Sequence, residues 1–155
     1  MSSDGQGGAS AAPPHGGPYL KAALFCDQVI EAKDGVLSLI RVVDRVTTMA
    51  SGPGAPKDMP SVTHGLVAVV MLTSGSARGP EEVRLEMERP DGQRKDVWTG
   101  TVHMEGEDKG QNLVLNFQTT FELPGLYWFN LYVGEQLFTR MPLRLMYTRF
   151  SSGGH

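Results

Sequence analysis

The stretch LYWFNLYV at residues 126–133 contains a single polar side chain, Asn130. Alternate side chains of a β-strand point to opposite faces of the sheet. As a strand, this segment places four core-type residues on one face: Tyr127, Phe129, Leu131 and Val133. The opposite face carries Trp128 and Tyr132. The first row predicts a buried core, and the second must be covered by another part of the chain or meet a partner.

The residues that follow predict a hairpin. The returning strand also alternates, and its apolar row consists of Leu137, Met141, Leu143 and Leu145. The two apolar rows share a face only if odd residues pair with odd residues. A three-residue loop at residues 132–134, with Gly134 in a left-handed bulge, keeps this parity and excludes a pairing of Phe129 with Arg140.

A Pro-Gly corner precedes the stretch, and Tyr127 follows it directly. Immunoglobulin-like sandwiches often place a tyrosine at such a corner, with its hydroxyl bonded to upstream backbone. We therefore expect Tyr127 to be a core aromatic residue with a satisfied hydroxyl.

Period-two alternation extends through most of the chain. At residues 112–123 the odd positions are largely apolar and the even positions largely polar. Two further hairpins are predicted around glycine-containing turns, at residues 20–31 with 36–44 and 83–89 with 93–98. No sustained helical stripe occurs between residues 19 and 150. The pattern predicts an all-β fold: a single immunoglobulin-like two-sheet antiparallel sandwich of seven to eight strands.

Other segments complete this prediction. Residues 66–72, LVAVVML, are apolar on both faces, which is typical of a central strand covered on both sides. Residues 51–60, 75–80 and 106–111 are rich in turn-forming residues and predict loops.

The length of 155 residues is that of one domain. We expect a disordered Gly/Ala/Pro tail at residues 1–18, a β-sandwich domain at 19–150 and a flexible C-terminus at 151–155, because the end segments offer little to bury.

Net charge, apolar runs and cysteine content indicate which cellular compartment and which classes of partner to expect. A net charge of −3 argues against nucleic acid as a partner. No apolar window reaches the roughly 18 residues of a membrane span, and no basic leader precedes an apolar run, so neither a membrane nor a secretory route is expected. Cys26 is the only cysteine, which favours a reducing compartment. We expect a cytoplasmic protein.

Catalytic motifs are missing from the sequence, and we expect no catalytic residue, no metal and no cofactor. The four histidines are scattered and lack a zinc spacing. Cys26 reads as a small buried residue whose pKa the neighbouring Asp27 would raise, and Asp27 as a structural carboxylate paired with Arg41 or Arg45. An enzyme built on Asp27 and His64 is the weakest alternative.

A cluster of acidic residues in HMEGEDKG offers oxygen ligands, although the calcium-loop spacing is absent. We interpret this segment as a solvated hairpin tip. The alternative function, a small-ligand or calcium-binding sandwich, requires the acidic loops to meet at one end: Asp34, Asp91, Glu105, Glu107 and Asp108.

The leading hypothesis is a non-enzymatic interaction module that binds a protein partner or itself through an aromatic and basic strand face or an edge strand. The candidate interface consists of Trp128, Tyr132, Arg140 and Arg144, because aromatic residues and arginine are enriched at interface centres. Arg140 and Arg144 also form a candidate anion-binding pair. The competing interpretation is that a strand, the tail or the loop at 51–60 covers the two rings.

Two blocks, ALFCDQVIEAKDGVLSLIRVVD near the start and FELPGLYWFNLYVGEQLFTRMPLRL near the end, carry a family resemblance. With them the chain resembles an uncharacterised bacterial family of short β-sandwich proteins, a domain of unknown function. The resemblance implies a bacterial, cytosolic, single-domain β protein, and it supplies no activity, ligand or catalytic residue.

Overall fold

The computed structural model describes residues 16–150, and the predictions for residues 1–15 and 151–155 lie outside this range. Every regular element between residues 16 and 150 is a β-strand, so the all-β prediction is confirmed. The same residues contain no helix capable of crossing a bilayer. Seven strands follow one another along the chain: β1 Tyr19–Glu31, β2 Leu37–Val43, β3 Arg45–Ser51, β4 Val62–Glu88, β5 Arg94–Phe121, β6 Gly125–Val133 and β7 Gln136–Phe150.

The strands form two layers that share β4 and β5. The first layer has the order β2, β1, first half of β4, second half of β5. The second layer has the order first half of β5, second half of β4, β6, β7, β3. All neighbours are antiparallel except β3 and β7, which are parallel. The predicted immunoglobulin-like sandwich is therefore confirmed, with its two sheets continuous through β4 and β5.

The passage of β4 and β5 between layers corrects two predictions. Residues 75–80 and 106–111 are not loops: they lie inside β4 and β5, whose pairing continues across them with irregular register. Gly75 and Gly106 adopt positive φ of 63° and 87° there, which glycine tolerates and which bends both strands together. The acidic segment HMEGEDKG is accordingly part of a bend in β5 and not a hairpin tip.

The core lies between the layers and is built from the inward rows that alternation predicts. Phe25 of β1 and Phe117 of β5 both contact Phe129 of β6, with ring centroids 4.9 and 5.9 Å apart. These contacts join the first layer to the second. The odd residues of 112–123 face inward as predicted, and Leu115 and Phe121 are fully buried. Met59, from the loop at 51–60, closes one end of the core.

The hairpin of β6 and β7 keeps the predicted parity by a different device. Phe129 pairs with Met141, odd with odd, and not with Arg140. The loop is, however, the two-residue Gly134-Glu135, because Val133 pairs with Gln136. The register shifts by one residue between Leu131 and Tyr132, so a bulge on β7 restores the parity that the short turn would break. The three-residue loop was wrong, although Gly134 has positive φ of 61° as predicted. The core position of Leu137 was also wrong: beyond the bulge it pairs with Tyr132 and is 44% exposed, and Phe138 packs against the core instead.

Tyr127 occupies the corner position expected of it. Its ring is fully buried and packs edge-on against Phe121 at 4.9 Å. Its hydroxyl donates to the carbonyl oxygen of Leu123 at 2.6 Å and accepts from the Leu123 amide at 3.3 Å. These two hydrogen bonds therefore fix the backbone where it crosses from β5 to β6. Burial of the side chain raises the pKa of Tyr127 above its ordinary value.

Replacing Tyr127 by Phe tests the corner. We expect Tyr127→Phe to lower the free energy of unfolding by about 1–3 kcal/mol, because the buried Leu123 groups lose their partner. Since the folded-state pKa is raised, the proton is held more tightly in the folded chain, and wild-type stability falls as pH rises above about 10. Urea unfolding across alkaline pH should show a flatter decline in the variant. Parallel declines would contradict this role.

Candidate functional site

Trp128 and Tyr132 lie on the outer face of the second layer, on either side of Asn130 in β6, and each is covered in part by an arginine. The Arg140 guanidinium carbon lies 4.5 Å from the Trp128 ring centroid, and that of Arg84 lies 4.2 Å from the Tyr132 centroid. Both rings remain partly exposed. The loop at 51–60 does not cover them, because it packs against the core and is held by a hydrogen bond from Tyr147 to the Pro56 carbonyl.

Beneath the arginines, a chain of polar contacts crosses three strands. Arg140 Nε of β7 donates to Asn130 Oδ1 of β6 at 2.9 Å, and Asn130 Nδ2 donates to Glu86 Oε1 of β4 at 3.0 Å. Arg140 Nη2 also donates to Glu88 Oε2 at 3.2 Å. Asn130 is buried, so its amide is satisfied on both sides as a buried polar group requires.

The chain of contacts continues onto β5. Arg94 Nη2 lies 2.9 Å from Glu88 Oε1, in an ion pair whose alignment does not meet hydrogen-bond geometry. On the other side of the face, Arg84 Nη1 donates to Asp96 Oδ1 at 3.0 Å and lies 3.5 Å from Glu86 Oε2. The hydrogen bond from Arg84 to Asp96 raises the pKa of Arg84 above its ordinary value. We call this surface the aromatic–arginine face: Arg84, Glu86, Glu88, Arg94, Asp96, Trp128, Asn130, Tyr132 and Arg140.

Two of the three carboxylates on this face lie deeper than the arginines. The side chains of Glu86 and Glu88 are 13% and 19% exposed, whereas those of Arg94 and Arg140 are 57% and 42% exposed. Asp96 is the exception, because its side chain is 48% exposed and that of its partner Arg84 is 36% exposed. A molecule approaching the face meets arginine, the aromatic rings and the Asp96 carboxylate.

The structure brings three of the four predicted interface residues together. Trp128, Tyr132 and Arg140 belong to the face, while Arg144 is exposed further along β7, beside Arg45 in the register of β3. The anion-binding pair of Arg140 and Arg144 stays a prediction. Arg140 is already engaged by Asn130 and Glu88 through Nε and Nη2.

Sequence reasoning missed the residues that β4 and β5 contribute. The alternation of Arg84, Glu86 and Glu88 was visible, but it is equally typical of any solvent-facing strand row. Their partners on β6 and β7 lie 44 and 52 residues away along the chain, and no local pattern indicates such a pairing.

The acidic residues proposed as a ligand site do not share a location. Glu105 and Glu107 pair with residues at the bend of β4, whereas Asp91 lies in the turn beyond its far end. Asp34 belongs to the separate turn between β1 and β2. Within residues 16–150 no group of three or more histidine, cysteine or acidic side chains is arranged to hold a metal ion.

Asp27 and His64 line one shallow depression. The Asp27 carboxylate contacts the Arg41 guanidinium at 3.2 Å, as the prediction of a structural pair anticipated. Cys26 is buried, and its pKa is raised first by burial and also by Asp27, which opposes thiolate formation.

Truncating Glu86 tests whether the polar contacts stabilise the face. Glu86→Ala leaves the buried Asn130 amide without its acceptor, and we expect a loss of about 1–3 kcal/mol in the free energy of unfolding, measured with urea. The matched control is Asp44→Ala, which removes an exposed pair with Arg45 at 3.4 Å and should cost below about 0.5 kcal/mol. Equal losses in the two variants would contradict the structural role of Glu86.

Structural comparison finds similar proteins of very different size. A β-glucosidase from Listeria innocua aligns with TM-score 0.47 and 7% identity over 84% of this chain, and β-glucosidase 3B from Thermotoga neapolitana with TM-score 0.40 and 11% identity over 80%. The chain spans 16% of the length of each of these two enzymes. An immunoglobulin-like protein from Pseudomonas aeruginosa aligns with TM-score 0.39 and 12% identity, over 86% of this chain and 99% of that one.

Sequence comparison identifies the family. No curated protein matches the chain. Residues 21–146 match the model of a family of unknown function, DUF6941. This range runs from β1 into β7 and contains the whole aromatic–arginine face. The chain therefore belongs to DUF6941, a family of unknown function, which confirms the resemblance to an uncharacterised domain.

Proposed function

We propose that this protein is a non-enzymatic interaction module that binds a protein partner through the aromatic–arginine face, extended along β7 by Arg144. The observation that carries the proposal is the pair of partly exposed rings, Trp128 and Tyr132, each beneath an arginine. Tryptophan, tyrosine and arginine are the residues that contribute most often to binding energy at protein interfaces.

The contacts under the face support a preorganised binding surface. Arg140 is held by Asn130, Glu88 and the Trp128 ring, so little side-chain freedom remains to be lost when a partner binds. Immobilising a free side chain at an interface costs about 0.5–1.5 kcal/mol, and a side chain already held avoids most of that cost.

Charge and shape favour an acidic partner. Arg94 and Arg140 are more exposed than the Glu86 and Glu88 carboxylates beneath them, although the whole chain has a net charge of −3. A depression of about 300 Å³ is lined by Arg94, Tyr132, Leu137 and Arg140, together with Glu88 and Asn130. Carboxylate groups of a partner would find guanidinium donors around it, and arginine binds carboxylates in a two-pronged geometry.

The same proposal places the protein in the bacterial cytoplasm. Support comes from Cys26, a single buried cysteine with no other cysteine available for a disulfide, and from the family resemblance. A protein of this kind would act by bringing its partner into an assembly and not by transforming a substrate.

Affinity capture with cross-linking from the native host tests the proposal. The wild-type chain is compared with the variant Trp128→Ala/Arg144→Glu and with the control variant Phe150→Ala/Lys33→Glu. The control removes an exposed aromatic ring and reverses an exposed charge away from the face. We expect a bound protein, cross-linked through an acidic segment, that the control retains and the first variant loses by at least tenfold, or roughly 1.4 kcal/mol.

Thermal unfolding of each variant first establishes that it is folded. Equal capture by the two variants, or cross-links confined to the first layer, would contradict binding through the aromatic–arginine face.

A further inference from the structure

The outer face of the first layer is apolar and uncharged. Cross-strand pairing places Val42 beside Cys26 and Val67, and Leu24 beside Val69 and Val114, in two adjacent rows on the side away from the core. Val69 and Cys26 are buried yet lie outside the core cluster, because their neighbours on the sheet surround them.

Cover on both sides was predicted for the central strand at residues 66–72, and on the outward side the structure shows it for Val69 but not for Val67 and Met71. Ala68 and Val70 face the core, whereas Val67 and Met71 face outward and remain partly exposed within residues 16–150. The edge of the same face is more open still, since Val42 is 62% exposed and Ile40 38% exposed. A contiguous apolar surface of this kind on a folded chain is a feature of binding sites.

Amide and hydroxyl groups border the apolar centre. Asn112, Asn116 and Gln118 of β5 and Gln28 of β1 lie on the same side of the sheet and are exposed. No charged residue occupies the rows from Met71 to Thr63 on this side of β1, β2, β4 and β5. An apolar centre, a polar border and few charges are the composition of a protein–protein interface.

We infer that this face binds the same face of a second copy of the chain, forming a two-fold symmetric dimer. A two-fold axis supplies the interface with the same residues from both copies, so a border of one charge sign would repel itself. Asn and Gln side chains both donate and accept hydrogen bonds, so a border made of them can pair with its own copy. The second layer cannot supply the matching surface, because its outer face carries the aromatic–arginine network.

The size of the face suits a dimer. Four strands about 4.8 Å apart and four residue pairs at about 6.7 Å per pair give a surface of about 500 Å². Two copies packed face to face would remove about 1,000 Å² from water, the size at which specific interfaces begin. Two pleated sheets packed in this way lie about 10 Å apart with their side chains interdigitated.

The dimer would extend the proposed function without depending on it. The aromatic–arginine faces lie on the second layers, so both would point away from the new interface. A partner with two acidic segments would then be held at two points, which strengthens binding without any additional contact.

Sedimentation equilibrium of the full-length chain tests the dimer. We expect the wild-type mass to approach twice 16.8 kDa as concentration rises to about 100 µM. Val42→Glu should raise the dimer dissociation constant about 100-fold or more, because a carboxylate would be buried without a partner in both copies. The control is Met49→Glu, a substitution on β3 in the second layer, where Met49 is 67% exposed, and it should dimerise like the wild type.

Asn116→Arg provides a second variant with little risk to folding, since Asn116 is exposed and its row adjoins Val67. It adds a positive charge to the interface from each copy, and the repulsion and the desolvation of the two arginines should weaken the dimer similarly. A monomeric wild type, or a dimer that Val42→Glu and Asn116→Arg leave intact, would overturn the inference. The inference would also be overturned by a full chain that stays monomeric while a chain lacking residues 1–15 dimerises. The occupant of this face would then be the chain's own N-terminal segment and not a second copy.

Discussion

The structure depends on the contact of Phe129 with Phe25 and Phe117. The first ring belongs to the second layer and the other two to the first layer, so their packing holds the two halves of one bent sheet face to face. Without it, β4 and β5 would run on as a long, open ribbon with one apolar side in water. Burying each aromatic side chain contributes about 1.5–3 kcal/mol, so this cluster contributes strongly to joining the layers.

Closing the core in this way leaves two outer faces with opposite chemistry. On the second layer, Arg140 and Arg84 lie over aromatic rings, and the carboxylates of Glu88 and Asp96 hold the guanidinium groups in place. On the first layer, Val42 and Met71 belong to a surface with no charge. We propose that the face of the second layer binds a protein partner and that the face of the first layer binds a second copy of the chain. The two faces lie on opposite sides of the sandwich, so both can be occupied at the same time.

The sequence predicted features that depend on neighbouring residues better than features that depend on residues far apart along the chain. Alternation at residues 112–123 and the turn at Pro90-Asp91-Gly92 were predicted correctly, because both follow from neighbouring residues. Residues 75–80 were mistaken for a loop, since glycine and proline mark a bend inside a strand as readily as its end. The predicted odd-with-odd pairing of β6 with β7 was correct, but the predicted three-residue loop was wrong. A bulge and a longer loop satisfy the same burial requirement, so the sequence does not distinguish them.

Except at the start of β7, where Phe138 and not Leu137 packs against the core, the sequence by itself determined which side of each strand faces the core. It also determined that Trp128, Tyr132 and Arg140 would share the other side. The period of two in the backbone makes that choice locally, residue by residue. Only the tertiary structure decided that Glu86 and Glu88 lie beneath Arg94 and Arg140, and that Val67 and Met71 remain partly exposed within residues 16–150. Those outcomes depend on which strands become neighbours, and strand pairing is set by the packing of the whole core and not by any segment alone.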